Sequence, residues 1–290
     1  AASDVYKRQN EEKPKNLNWD LWLGPATYTK YTSQLHPFNW RGWWDYGTGA
    51  LGDMGCHILD APYKTLGLHY PTDVECSVGS IYQQAWSQNF IPEGCPPSSI
   101  VTLHFDETDK NDSKIELVWM DGGLRPSHPK AIPAEEYLGE KYSRSGVLMI
   151  GDKGVISFGT YGMNPKLYRQ GKKTLFFKTD LEDLDNIHHR AWVEACKQGY
   201  GSKAQSELTS SFDYAGPFTE SVLMGNLAIR SYMLIGTKSP KYSENSVHVS
   251  EHSNYIGRKK LIWDGQNMRI TNFDLANKYV QREYRKGWEL

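Results

Sequence analysis

Trp40-Arg41-Gly42-Trp43-Trp44-Asp45-Tyr46-Gly47-Thr48-Gly49-Ala50-Leu51-Gly52-Asp53-Met54-Gly55-Cys56-His57-Ile58-Leu59-Asp60, continued by Ala61-Pro62-Tyr63-Lys64-Thr65-Leu66-Gly67, is the part of the chain around which the rest is organised. From Gly49 onward Leu51, Met54, Ile58, Leu59 and Leu66 recur at helical and not strand spacing, which predicts a helix entered from a glycine turn. At about 100° per residue, Asp53, His57, Asp60 and Lys64 fall in a stripe roughly 60° wide, while the leucines and Ile58 point elsewhere. Pro62 has no N–H to give a helix and should kink or restart it. The secure pair is therefore Asp53-x-x-x-His57.

An imidazole near its ordinary pKa exchanges protons at neutral pH, and a carboxylate one turn away can orient it and favour its charged form. Asp53 and His57 are accordingly the candidate catalytic residues. The same spacing also suits an amphipathic helix whose Asp caps the first turn and whose His completes an i,i+4 pair. Beside the helix, the tryptophan-rich run Asn39 to Thr48 carries Arg41 and Asp45, a pairing able to clamp a polar ligand beneath aromatic rings. Arg41, Trp44, Asp45 and Asp60 are the candidate substrate-binding residues.

Downstream the pattern turns to β. Val74 to Tyr82, Ser99 to Phe105, Lys114 to Met120, Gly146 to Ile150 and Val155 to Gly159 are short runs bounded by Gly, Pro, Asp and Asn. No long helices intervene, which predicts an antiparallel meander with one face polar or shared with a partner. Asp121-Gly122-Gly123 is a turn and Gly151-Asp152-Lys153-Gly154 a hairpin. The proline-rich excursion Leu124 to Arg144 reads as a surface loop or subunit contact. Helices are expected at Asn186 to Gly199, Phe218 to Gly236 and Asn272 to Gly287, with Ser206 to Pro217 as the entry to the second. Lys260 to Asp264 should form one more strand.

Gly47-Thr48-Gly49-Ala50-Leu51-Gly52 spells the GxGxxG of a dinucleotide fold and opens a helix, with Asp73 about twenty residues on. That fingerprint needs a buried parallel strand leading into its first glycine. Trp40 to Tyr46 is no β-branched apolar run, and Asp73 precedes the next strand instead of ending it. The string is discounted as a cofactor site.

Composition narrows the remaining classes. With 33 basic and 34 acidic residues the formal charge is -1, so neither a nucleic acid nor an anionic membrane is an expected partner. Cys56, Cys76, Cys95 and Cys196 lack ligand spacing, and neither a metal site nor a disulfide framework is indicated. No apolar run is long enough for a membrane span, and the compartment stays open. The 10 Trp and 18 Tyr suit clefts lined by amphipathic rings. Asp4-Val5-Tyr6-Lys7-Arg8-Gln9 resembles the conceptual translation of a transposase end. Residues 1–16 are therefore read as an assembly scar and linker, and 17–290 as the folded domain.

Leu17 to Ala26 and the long string His36 to His57 resemble the carboxy-terminal part of bacterial Gfo/Idh/MocA oxidoreductases, the glucose-fructose oxidoreductase and inositol dehydrogenase family. Gly151 to Gly154, Tyr214-Ala215-Gly216-Pro217, Gly225-Asn226-Leu227-Ala228 and Tyr284-Arg285-Lys286-Gly287-Trp288 resemble the same subgroup. The resemblance implies an α+β domain, a large open, mainly antiparallel β-sheet with helices on one face. It also implies a preceding Rossmann domain, missing here, that holds most of the NAD or NADP. It places Asp53 and His57 at the family's Asp-x-x-x-His facing the nicotinamide, His57 exchanging the hydroxyl proton while hydride moves. Glu12-Lys13-Pro14 spells a family motif but lies too close to the second domain, and is read as chance. The expected activity is oxidation of a sugar, polyol or derivative, in a homo-oligomer, dimer or tetramer. An NAD-dependent glycosidase and a non-catalytic binding or oligomerisation domain are the alternatives, and this chain alone is expected to be inactive.

Overall fold

A computed structural model describes residues 11–84, 87–89, 93–139, 145–170, 172–175, 184–234, 236 and 255–289. The amino-terminal segment read as a junction lies mostly outside them, as does the end of the proline-rich excursion Leu124 to Arg144. Helices α1 (Trp19–Leu23), α2 (Gly49–Ile58) and α3 (Asp60–Thr65) come first. The expected effect of Pro62 is visible: the helix that begins at Gly49 stops at Ile58 and restarts at Asp60, placing Pro62 in the new first turn.

Strands β1 (Asp73–Val78), β2 (Ile81–Gln84), β3 (Ser87–Asn89), β4 (Ser99–Phe105) and β5 (Ile115–Met120) follow, then β6 (Val147–Gly151), β7 (Gly154–Phe158), β8 (Lys166–Arg169) and β9 (Lys172–Leu175). Helices α4 (Leu184–Gln198), α5 (Lys203–Ser206) and α6 (Phe212–Tyr232) precede the short strands β10 (Leu261–Asp264) and β11 (Arg269–Ile270). Every described pairing is antiparallel, and the domain is α+β as expected. The strands are divided, however, between a five-stranded sheet ordered β11-β10-β1-β4-β5, a four-stranded sheet β6-β7-β8-β9 and the hairpin β2-β3. The division falls after β5, where Pro126, Pro129 and Pro133 cannot donate ladder bonds and no further strand is added to that edge.

Residues group into two compact units, one of 1–56, 66–126 and 221–290, the other of 57–65 and 127–220. In the first, alternation along the five-stranded sheet separates two faces. Leu261, Val74, Leu103 and Leu117 stand in register on one, with Cys76, Val101 and Trp119 beside them. Val74, Val101 and Leu261 are fully buried there. Helices α2 and α6 close over this face: a Cβ on Gly225 would fall 2.3 Å from Leu51 Cδ2 and 3.2 Å from Val101 Cγ1, so only glycine lets α6 approach so nearly. Asp121 ties off the end of the sheet. Its carboxylate accepts from the Ser99 N–H (2.5 Å), the Ser99 hydroxyl (2.7 Å) and Trp119 Nε1 (2.8 Å).

Around α1, Trp19 and Trp22 stack at 4.5 Å, and Trp19 Nε1 donates to the Thr29 carbonyl at 2.8 Å. Arg285 fastens the carboxy-terminal segment here, donating to Asp20 Oδ1 (2.5 Å) and to the Gly24 carbonyl (2.8 Å). The helix expected over Asn272 to Gly287 is reduced to a 3-10 helix, Asp274–Tyr279. Asn277 explains the shortening, since its side chain accepts from the Ile270 N–H (2.7 Å) and donates to the Ile270 carbonyl (3.0 Å), completing the edge of β11.

In the second unit the hairpin at Gly151-Gly154 forms as expected, and two strands unseen in the sequence, β8 and β9, extend it. The proline-rich excursion is more than a surface loop. Ile132 is buried with Val155 and Tyr168 in a small core, and Glu136 takes a 2.7 Å bond from Lys173. Helix α6 starts at Phe212, earlier than the sequence indicated, with Pro217 inside it.

Candidate functional site

The expected stripe of polar residues is divided between the units, and each member has its own neighbours. Arg41 sits in the 3-10 helix Asn39–Gly42, its guanidinium 4.2 Å from the Phe38 ring centroid and 4.5 Å from that of Trp40. From this aromatic seat Arg41 Nε donates to Asp53 Oδ1 at 3.1 Å. The carboxylate expected to orient an imidazole is thus bonded to a guanidinium. Both side chains are a third or more exposed, 33% and 43%, so the pair contributes little to stability. Its effect is to fix the carboxylate's position on the first turns of α2.

Arg41 and Asp53 open onto a pocket of about 430 Å³ whose wall also includes Gln34, Asn39, Trp43 and Cys95. Burial pushes the Cys95 thiol up to about 12, the nearby Arg230 opposing this only in part, so it is a neutral wall residue and not a nucleophile. Pro96 lines the same wall, and the sequence marked neither it nor Cys95 as a pocket residue, because they reach the pocket through the Cys95 N–H bond to the Gly42 carbonyl (2.8 Å), a long-range pairing with no local signature.

His57 is exposed, and the Tyr161 ring meets it edge-on with centroids 5.2 Å apart. Tyr161 adopts a left-handed backbone (φ 62), which costs energy for a bulky residue. Asp60 Oδ1 accepts a 2.6 Å bond from the Tyr214 hydroxyl, and Lys64 Nζ stands 5.5 Å from the Tyr214 ring centroid. Burial first, and then the Asp60 bond, raise the Tyr214 hydroxyl far above its usual range, leaving a neutral donor that holds Asp60. Tyr161 was not singled out in the sequence, and Tyr214 appeared there only within a motif.

The remaining candidates lie in the tryptophan-rich run. Arg41 bonds to Asp53 and not to Asp45, which is exposed and whose backbone carbonyl accepts from Arg282 (3.0 Å). Trp44 is half-buried, with Arg230 5.5 Å above its ring. Among the described residues no group of three or more His, Cys, Asp or Glu side chains is placed to hold a metal, and no helix is long and apolar enough to cross a membrane.

The glycine string can now be judged as a cofactor cradle. No strand leads into Gly47, which follows a 3-10 helix and a turn. A Cβ on Gly47 would strike the Arg41 backbone at 2.5 Å, one on Gly49 would meet Cys95 Sγ at 2.8 Å, and one on Gly52 would meet Thr48 Oγ1 at 1.8 Å. The space the glycines free is filled by the chain itself. These residues do not fit a dinucleotide pyrophosphate.

Residues 4–88, under a third of the chain, match the family described as "Oxidoreductase family, C-terminal alpha/beta domain". The matched segment contains Arg41, Trp44, Asp45, Asp53, His57 and Asp60. No curated protein matches the chain.

Proposed function

We propose that the chain is the substrate-side domain of an NAD- or NADP-dependent oxidoreductase acting on a sugar, polyol or derivative, with His57 exchanging the hydroxyl proton. The observation that carries this reading is an exposed imidazole on the Asp-x-x-x-His helix, within the stretch that matches an oxidoreductase-family C-terminal domain, walled on one side by a tyrosine in a strained conformation. Arg41 and Asp53 present a paired guanidinium and carboxylate to a pocket, a combination suited to vicinal hydroxyls. Tyr214 presets Asp60. The nicotinamide supplies the hydride chemistry when bound, and its site is proposed to lie in a Rossmann domain outside this chain.

The test is net NADH or NADPH formation, over a panel of polyols and aldoses, by the product of the whole reading frame that encodes this chain. His57→Ala should lower kcat by about 10² to 10⁴. Undiminished turnover in that variant would sink the assignment. Cleavage of a glycoside without net NADH formation would select the glycosidase alternative. Titration of NADH into the present chain should show no saturable binding, and micromolar affinity would place the cofactor site here after all.

A further inference from the structure

Of the four buried side-chain polar atoms that lack a hydrogen-bond partner among the described residues, three belong to Trp44 and Asn226, and the two residues sit close to one charged group. Asn226, on α6, is only 6% exposed, yet neither its Nδ2 nor its Oδ1 is bonded. Its Nδ2 lies 3.3 Å from the point a Cβ on Gly52 would occupy, so the amide faces the first turn of α2. One helical turn further along α6, and therefore on the same side, stands Arg230. Its guanidinium is 5.5 Å from the Trp44 ring centroid and 4.2 Å from that of Tyr279, and it makes no hydrogen bond or ion pair among the described residues.

Each of these features is costly as it stands. A buried amide without partners forfeits roughly 1–3 kcal/mol, and a partly buried guanidinium carries five donors that need acceptors. Burial lowers the Arg230 pKa, and the Asp45 carboxylate opposes this without bonding to it. Cys95 also rests against Gly49, the first residue of α2, which brings the positive end of that helix to the same place. Trp44 Nε1–H, Asn226 Nδ2, the Arg230 fork and the start of α2 are all donors, and Asn226 Oδ1 is the one acceptor among them. An ordered water could satisfy Asn226 but would not balance the guanidinium.

We propose that Trp44, Asn226 and Arg230, at the first turn of α2, together bind a small oxyanion, a carboxylate or phosphate group. Arg230 receives it through the planar fork that matches two oxygens, while Trp44 Nε1 and Asn226 Nδ2 donate to the remaining lone pairs. Tyr279 packs on the guanidinium and holds the fork in position. The site stands independently of any role for His57.

The experiment uses the whole chain with ¹⁵N-labelled tryptophan indoles, the Trp44 resonance being assigned by its disappearance in Trp44→Phe. Sodium phosphate and sodium acetate are titrated separately against sodium chloride at matched ionic strength. The Trp44 Nε1–H resonance should shift saturably with phosphate, acetate or both, which also identifies the preferred oxyanion, and should not shift with chloride. Arg230→Gln should weaken that response at least about tenfold. Asn226→Asp, nearly isosteric and carrying a repelling charge, should do the same and serves if the arginine variant does not fold. A resonance indifferent to both oxyanions, one that follows chloride equally, or an undiminished response in the folded variants would overturn the proposal.

Discussion

The two faces of the five-stranded sheet are built from alternate residues of the same strands and obey different physics. On one face Leu261, Val74, Leu103 and Leu117 form a continuous apolar row, covered by α2 and α6. On the other the same register aligns Ile262, Asp73, His104 and Glu116. There Asp73 Oδ1 is 2.6 Å from His104 Nδ1 and 3.2 Å from Lys260 Nζ, and Glu116 Oε2 is 3.7 Å from His104 Nε2. The apolar row holds α2, and with it Arg41 and Asp53, in position. The charged row is available to respond to pH and to a partner.

The largest effect that separates the faces is expected at Leu103, which is 1% exposed. Leu103→Ala removes a packed side chain beneath the helices and should cost about 2–5 kcal/mol in chemical denaturation. A cost below about 1 kcal/mol would mean that this face tolerates voids and does not set the position of α2.

This division was legible in part before any coordinates. β4 and β5 were marked as short runs bounded by turn residues, and the buried apolar positions of β4 are Val101, Leu103 and Phe105. The turns at Gly122 and Gly151 were equally plain, since their residue types are local requirements. Lys166–Arg169 and Lys172–Leu175 gave no such signal, because Tyr168 is in the small core while Lys166 and Leu167 are half-buried and Arg169, Lys172, Lys173 and Thr174 are solvated. The final helix failed for a related reason: Asn277 is committed to the Ile270 backbone, a partner that spacing along the chain does not reveal. At the candidate site, Asp53 and His57 were legible as a spacing on one helix. Their actual neighbours, Arg41 and Tyr161, are set by a turn twelve residues before Asp53 and by a strand connection far downstream. The unbonded Asn226 amide and the aromatic neighbours of Arg230 were invisible for the same cause.

A smaller effect, opposite in its pH dependence to anything on the apolar face, is expected at Asp73. Burial works to raise its carboxyl, but the bonds from Lys260 and His104 outweigh this and hold the pKa below the ordinary value. A carboxyl depressed in the folded state stabilises the protein above its unfolded pKa of about 4, and that contribution is lost as pH falls through the lower folded value. Asp73→Asn should therefore cost about 1 kcal/mol at neutral pH, since the group is partly exposed, and the difference from wild type should vanish in acid. The Leu103→Ala loss should persist across the same range. A deficit in Asp73→Asn that did not shrink in acid would assign the residue a packing role instead.

The smallest effect belongs to Glu116, directly across β4 in the same row. Its side chain is 63% exposed and its approach to His104 is long, so Glu116→Gln should change stability by no more than about 0.5 kcal/mol. The near-zero expectation makes this variant a sensitive probe of what covers the face in solution. A surface carboxylate is cheap to neutralise only while water remains its neighbour. In a homo-oligomer that buries this face, Glu116 would lose that water, and neutralising it would alter both the denaturation midpoint and its dependence on protein concentration. Measured at two well-separated protein concentrations, a constant, negligible difference places the charged row against solvent. A difference that grows with concentration places a second copy of the chain against it, and the contrast between the faces then becomes one between two buried interfaces, one apolar and one ionic.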